Sequence, residues 1–184
     1  MKQRIMICAV VVLILSVGSA QAELVNNGDF ETGDLIGWTV TGADMGSVTA
    51  GGVGGSAYRF EGYDNNGYAT LSQTVSTTIG APYDFSFYSG VHLLASGNIL
   101  RYSLDSNPVV TVAQSAGGFT WEQSSDIFVA SGTSAVIDFY FETDPGTGTW
   151  QIDDVSVNLV PVPGAVLLGI LGLSVAGIKL RKSA

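Results

Sequence analysis

The chain has 184 residues and a formal net charge of −9, with seven Lys and Arg against sixteen Asp and Glu. Five of the basic residues lie near the termini, so the segment from Glu23 to Val160 carries two cations against sixteen acids, or −14. A surface this acidic repels phosphate backbones, which excludes nucleic-acid binding. The single cysteine, Cys8, excludes both a disulfide framework and a cysteine metal site.

The first 22 residues have the pattern of a secretory signal peptide. Lys2 and Arg4 precede a continuous apolar run over residues 5–17, and Ala20-Gln21-Ala22 supplies the small residues that signal peptidase requires. The apolar run is too short for a comfortable membrane span. We therefore predict cleavage after Ala22 and export of the rest of the chain.

Residues 23–159 are predicted to form one all-β domain. Glycines separate short runs rich in Val, Thr, Tyr and Phe, and apolar and polar side chains alternate at Tyr83–Tyr88 and Ile137–Phe141. Eight to ten strands at this spacing favour an antiparallel β-sandwich with jelly-roll topology. The glycine-rich loop at residues 50–56 is expected to be flexible.

The same region gives no support for catalysis. A glycosidase needs two carboxylates with divergent pKa values, but nothing distinguishes one pair among so many acids. The single histidine, His92, has no serine or cysteine motif around it and is expected at a loop or strand end. Motifs for nucleophilic catalysis, for a pair of metal-binding histidines and for phosphate binding are absent from the sequence. We therefore predict that the protein is not an enzyme.

Residues 160–184 have the pattern of a single transmembrane helix. An apolar stretch runs from Val160 to Ile178, and at about 1.5 Å per residue its 19 residues just match a bilayer core of about 30 Å. Residues 165–178 have no polar face, which argues against a buried amphipathic helix. The basic cluster Lys179, Arg181 and Lys182 then places the tail in the cytoplasm and the acidic domain outside.

This ending, with Pro161-Val162-Pro163, a short span and a basic cluster, resembles the PEP-CTERM sorting signal. The glutamate of the usual Pro-Glu-Pro motif is replaced by Val162. The resemblance implies processing by an exosortase at the inner membrane, with an anchored intermediate and a final place at the cell surface or outside the cell. A plain single-span anchor is the alternative.

Three segments of the domain are similar to galactose-binding-like jelly rolls, the fold of many carbohydrate-binding modules. They are LVNNGDFETGDLIGWTV at residues 24–40, LSQTVSTTIGAPYDFSFYSG at 71–90 and TWQIDDVSVNL at 149–159. The resemblance implies a structural Ca²⁺ bound by Glu31 and by Asp153 or Asp154, since calcium prefers carboxylate and carbonyl oxygens. Alternation favours Asp153, which would share an inward face with Val155 and Val157. Alternatively, these acids cap turns or accept backbone N–H groups.

Four aromatic residues are candidate platforms for a sugar, because aromatic faces stack on the apolar faces of pyranose rings. Trp38 and Trp150 lie in the family-like segments and are expected in the core. The candidates, each of which is alternatively a packing residue, are Trp121, Tyr88, Tyr102 and Tyr140.

Two functions therefore stand as expectations. The first is an exported, non-enzymatic cell-surface or matrix protein that associates with exopolysaccharide. The alternative is a carbohydrate-binding module that recognises one glycan through exposed aromatic residues.

Overall fold

The computed structural model describes residues 23–42, 46–61, 67–92, 98–113, 119–143 and 148–161. These residues form ten β-strands and no helix, which confirms the predicted all-β class. The strands are β1 (Thr39–Gly42), β2 (Ser47–Ala50), β3 (Ser56–Glu61), β4 (Gly67–Ser76), β5 (Pro82–His92), β6 (Ile99–Leu104), β7 (Val110–Thr111), β8 (Glu122–Val129), β9 (Ser134–Thr143) and β10 (Thr149–Leu159).

The strands build two antiparallel sheets of five strands each. Sheet I has the order β1-β4-β9-β6-β7, and sheet II has the order β2-β3-β10-β5-β8. The chain passes from one sheet to the other at every connection except β2–β3 and β6–β7, as in a jelly roll. The predicted two-sheet sandwich is therefore confirmed.

The predicted terminal segments lie outside the described part of the chain. They are the signal peptide at residues 1–22, the transmembrane helix, and Pro163, Lys179, Arg181 and Lys182 of the sorting signal; Pro161 alone is described, after the last strand. Across the described ranges, no helix is long and apolar enough to span a membrane.

The core lies between the two sheets and follows the alternation of the sequence. Phe85 and Phe87 of β5 and Phe139 of β9 are fully buried, and their rings pack against one another and against Tyr102. Trp38 and Trp150 are also buried, as predicted. Residues 22–159 form a compact unit with this core inside it, so a fragment from Glu23 to Val160 is expected to fold by itself.

A β-bulge interrupts the pairing of β10 with β5. Asp153 lies opposite Tyr88, but Ser156 already lies opposite Ser86, so one residue of β10 is extra. Asp154, in the bulge, has a positive φ of 47°. Successive side chains of a strand point to opposite faces of the sheet, so one extra residue shifts this alternation. Side chains of β10 after the bulge therefore point to the opposite face from the one that regular alternation predicts.

This bulge corrects one prediction about Asp153. Val157 lies opposite the buried Phe85, so it points into the core. Asp153 lies opposite Tyr88 of β5. The two neighbours of Tyr88 on that strand, Phe87 and Ser89, are buried and face the core. Tyr88 and Asp153 therefore point to the outer side of sheet II. Asp153 does not share a face with Val155 and Val157, because regular alternation does not continue through the bulge.

Candidate functional site

The outer side of sheet II brings together residues from four strands. Register places Arg59 of β3 opposite Gln151 of β10, and Gln151 opposite Gly90 of β5. Residues opposite one another on neighbouring strands share a face of the sheet. These three positions form a row across the sheet, which continues to Ser47 of β2. We call this side of sheet II the outer face.

An aromatic cluster covers one end of that row. The Phe119 ring lies directly on Gly90, where a Cβ would stand 2.6 Å from Cε2 and 2.7 Å from Cζ of the ring. His92 stacks on Phe119 with ring centroids 4.2 Å apart and an interplanar angle of 18°. Trp121 meets Phe119 edge to face at 5.2 Å. Glycine at position 90 is therefore required for the ring to approach the strand.

The row next to this cluster holds a buried polar group. Gln151 is only 5% exposed, and none of the described residues donates a hydrogen bond to its Oε1. Buried polar atoms are nearly always hydrogen-bonded, because an unpaired one loses its interaction with water without replacement. Since Gln151 lies opposite Gly90, this oxygen belongs to the floor beside the Phe119 ring. The row therefore contains a buried acceptor that has no hydrogen-bond partner among the described residues.

Two of the four predicted aromatic residues lie on this face. Trp121 is half-buried within the aromatic cluster. Tyr88 is also half-buried and lies on the outer face, opposite Asp153 on β10 and Gln123 on β8. The structure therefore brings Trp121 and Tyr88 to the same side of the same sheet.

The other two predicted aromatic residues lie elsewhere. Tyr102 is 5% exposed and points into the core, so the prediction of an exposed platform is wrong for its ring. On β6 it lies opposite the buried Phe139 of β9, so the Tyr102 side chain points between the two sheets. Tyr140 lies on the outer side of sheet I, where its hydroxyl group donates to Asp138 Oδ2 and is hydrogen-bonded to Ser103 Oγ.

Sequence reasoning missed Phe119, Gln151 and Arg59, and assigned His92 only to a strand end. His92 is the last residue of β5, so its placement was correct while its stacking was not foreseen. The one available signal was the spacing of Phe119 and Trp121, which places two aromatic side chains two residues apart just before β8. The contact with β5 depends on the sheet register, which no local pattern gives.

A second group of polar residues lies where the loop between β2 and β3 meets the two ends of the domain. Asp153 is 1% exposed, and its Oδ2 accepts the Val53 N–H at 2.6 Å. Its Oδ1 accepts the N–H of Asp154 at 2.7 Å. Glu31 Oε1 accepts the Ser56 N–H, also at 2.6 Å.

Glycines allow this loop to come so close to the carboxylates. A Cβ on Gly52 would stand 2.5 Å from Asp153 Oδ2, and one on Gly55 would stand 2.6 Å from Glu31 Oε2. The Gly55 carbonyl oxygen also accepts the N–H groups of Gly51 and Gly52, at 2.8 and 2.9 Å. The loop that was expected to be flexible is therefore held by hydrogen bonds to Glu31 and Asp153 and within itself.

The surroundings of Asp153 disfavour the charged form of its carboxyl group. Burial raises the pKa of Asp153 to about 6, although the N–H groups of Val53 and Asp154 act in the opposite direction. The negative charges of Asp154 and Glu31 raise this pKa further. A cation would remove the repulsion and compensate the burial of the charge.

The residues present fit the calcium that the fold resemblance implies, but only in part. Glu31 and Asp153 bring two carboxylates to one loop, and in the described ranges no group of three acidic, histidine or cysteine side chains is placed to hold a metal ion. Backbone carbonyl groups would therefore supply most of the six to eight oxygens. Asp154 instead lines a separate cavity of about 340 Å³ with Glu23 and Asp29.

No family model and no curated protein sequence matches the chain. Solved structures do match. TmCBM61 in complex with β-1,4-galactotriose aligns with a TM-score of 0.58 and 22% identity, over 74% of this chain and 97% of that one. The CBM22-1 xylan-binding domain of Xyn10C from Paenibacillus barcinonensis aligns with a TM-score of 0.52 and 20% identity, over 79% and 99%.

A third match comes from an enzyme. The enzymatically active domain of tailspike protein 4 from bacteriophage CBA120 aligns with a TM-score of 0.59 and 17% identity, over 75% of this chain and 21% of that chain. At these identities the likeness shows the fold alone. The chain therefore shares its sandwich fold with carbohydrate-binding modules and with a part of an enzyme.

Proposed function

We propose that the described domain is a non-enzymatic module that binds a polysaccharide on the outer face of sheet II. One observation carries the proposal: the aromatic cluster of His92, Phe119 and Trp121 lies beside the buried acceptor Gln151 Oε1 on one side of one sheet. A sugar ring needs this combination, an aromatic surface for its C–H face and fixed polar groups for its hydroxyls.

The parts of the face have different tasks in this proposal. The half-buried Trp121 and Tyr88 stack with sugar rings, while Phe119 holds Trp121 in place and is itself stacked on His92. Gln151 Oε1 accepts a hydrogen bond from a hydroxyl group of the sugar, which supplies the partner that it lacks among the described residues. Arg59, its neighbour in the row, brings a guanidinium group to the same floor. The charge of −14 over residues 23–160 favours neutral polysaccharides over polyanions.

The loop between β2 and β3 has a supporting task. We propose that Glu31 and Asp153 hold a structural Ca²⁺ there, together with backbone carbonyl groups. The ion would neutralise two carboxylates of an acidic domain and link its first and last segments. Both residues meet the same loop, which supports this assignment.

The setting of the module is also a proposal. The sequence patterns at residues 1–22 and 160–184 support export, a membrane-anchored intermediate, processing by an exosortase and a final place at the cell surface or in an extracellular polysaccharide layer. Truncation after Val160 is expected to release a freely soluble exported protein, whereas the full chain passes through a membrane fraction. Identical fractionation of the two forms would contradict the sorting proposal.

The binding proposal is tested with the Glu23–Val160 fragment on a panel of neutral polysaccharides that includes β-1,4-galactan and xylan. We expect binding to at least one, and a loss of about tenfold in Trp121→Ala and in Gln151→Leu, about 1.4 kcal/mol each. Tyr68→Ala is the matched control, because Tyr68 is 65% exposed on the outer side of sheet I.

Three outcomes would overturn the proposal. They are the absence of binding across the panel, equal binding by Trp121→Ala and the parent, and an equal loss in Tyr68→Ala. Release of shorter saccharides from a bound polysaccharide would contradict the non-enzymatic assignment while leaving the site in place.

A further inference from the structure

A second cleft opens at one side of the sandwich, away from the outer face of sheet II. The strands β7 and β8 are the edge strands of sheets I and II on the same side of the molecule. Between them lies a cavity of about 300 Å³, with walls from Leu104, Pro108, Val110, Phe128 and Val129. This volume is at the lower end of the range for small-molecule pockets.

Most of the side chains that line the cleft are apolar, and Asn107, Tyr102 and Asp126 are its polar members. Val110 and Val129 are exposed, whereas Leu104 and Phe128 are buried at the bottom of the cleft. An apolar molecular body packs against the Leu104, Val110 and Phe128 side chains, and its burial removes the exposed Val110 from water.

One end of the cleft is polar and negative. The Tyr102 hydroxyl group donates to Asp126 Oδ2 at 3.3 Å, and Asp126 Oδ1 accepts the N–H of Ile127 at 2.7 Å. Burial and the Asp126 charge raise the pKa of Tyr102 to about 12, so the phenol keeps its proton and acts as a donor to the carboxylate. The two donors that the structure shows on Asp126, the Tyr102 hydroxyl group and the Ile127 N–H, are both neutral.

The Asp126 side chain is exposed and lies on an edge strand, where an inward-facing charge also protects the sheet edge from pairing. Asp126 lies opposite the buried Phe85, whose side chain points into the core. The Asp126 side chain therefore faces the gap between the sheets rather than the outer face. Among the described residues, an ion pair joins Arg101 and Glu142. No described Lys, Arg or His side chain forms an ion pair with Asp126. The cleft therefore combines apolar walls with a carboxylate that lacks a counter-charge in the described part of the chain.

We propose that this cleft binds a small molecule with an apolar body and a protonated amine. The ammonium group would reach the Asp126 carboxylate as a charge-assisted donor, and the apolar body would lie between β7 and β8. Charge complementarity supports this class of ligand, since the acidic domain also attracts cations and repels anions over a longer distance. The site is independent of the polysaccharide face, because Tyr102 and Asp126 point between the sheets.

The probe is 2-phenylethylamine, added to the ¹⁵N-labelled Glu23–Val160 fragment and followed by NMR. We expect saturable shifts of backbone signals in residues 102–110 and 126–129, with a dissociation constant of about 1 mM for so small a ligand. The neutral analogue 2-phenylethanol is expected to bind about two- to fivefold more weakly, because it lacks the charge and because water screens an ion pair with the exposed Asp126. Asp126→Asn should produce a similar loss.

Two variants keep the test decisive. Asp84→Asn removes an exposed acid on β5 of the same sheet and should leave the amine affinity unchanged. Val110→Trp fills the mouth of the cleft without touching Asp126, so it should abolish binding even if Asp126→Asn does not fold. Equal affinity for amine and alcohol, unchanged binding in Val110→Trp, or shifts spread over the whole acidic surface would overturn the proposal.

Discussion

Glu31 and Asp153 come from opposite ends of the domain, yet their carboxylates accept N–H groups of one loop. Glu31 Oε1 accepts from Ser56 and Asp153 Oδ2 accepts from Val53, each at 2.6 Å. The loop therefore ties the first segment of the domain to the last strand. These hydrogen bonds oppose the separation of the two ends of the domain.

Calcium is expected to stabilise the domain through these two residues. If the ion binds only the folded state, a concentration 100-fold above its dissociation constant adds about 2.7 kcal/mol to the free energy of unfolding. For a domain of this size the melting temperature should rise by several degrees. Thermal melts with chelator and with millimolar calcium measure the difference.

The same melts are repeated for Glu31→Gln and Asp153→Asn, with the exposed Asp84→Asn as the control. The calcium shift should vanish in the first two variants and persist in the control. A shift of equal size in all of them would mean that calcium acts on general surface charge.

The stability of the calcium-free domain should fall as Asp153 ionises. Its pKa is about 6 in the folded state against an ordinary value of 3.8, so the folded state holds the proton more tightly than the unfolded state. The contribution of Asp153 is therefore most favourable below about pH 4 and is lost as the pH rises through about 6. Denaturant unfolding in chelator at several pH values between 5 and 7 measures this loss.

Asp153→Asn should remove this part of the pH dependence, so the variant gains stability relative to the parent as the pH rises. The comparison cancels the titration of the other acids, which both proteins share. A constant difference between the two proteins from pH 5 to 7 would show that Asp153 titrates near its ordinary value.

Gly52→Ala should destabilise the domain by about 1–3 kcal/mol, the usual cost of forcing extra volume into a packed site. The new Cβ would overlap the Ser56 carbonyl oxygen and would stand 2.5 Å from Asp153 Oδ2. Gly54→Ala is the matched control in the same loop, because a Cβ there meets nothing within 4 Å. Chemical denaturation of both variants gives the comparison, and similar losses in the two would mean that the loop does not hold the carboxylates.

Gly90→Ala should weaken polysaccharide binding more than it weakens the fold. The methyl group would displace the half-buried Phe119 ring from β5, and with it the edge contact that holds Trp121. Because Phe119 is partly exposed, the ring can move away at a moderate cost in stability. Binding assays and melts on the same preparation separate the two effects.

The double variant Gly90→Ala, Phe119→Ala provides the check. Its stability should equal that of Phe119→Ala alone, because Gly90→Ala then meets no ring, while polysaccharide binding stays weak. Full binding by Gly90→Ala would show that the position of Phe119 does not matter for the ligand.

Local sequence patterns determined the fold class and most of the core. Alternation in β5 and β9 identified Phe85, Phe87, Phe139 and Phe141 as one buried series, since a strand turns every second side chain to the same face. Trp38 and Trp150 were assigned to the core by the segments in which they lie, and both are buried. The burial of these side chains follows from residues close to them in the chain, so it can be predicted from the sequence.

Long-range register decided the rest. The bulge between Asp153 and Ser156 turned Asp153 outward, because one extra residue reverses every later facing in the strand. Strand pairing placed Tyr102 between the sheets and brought Phe119 onto Gly90, from a segment that no local pattern connects to β5. Binding surfaces on a sandwich are assembled across strands far apart in the chain, so their composition follows from tertiary pairing rather than from residue order.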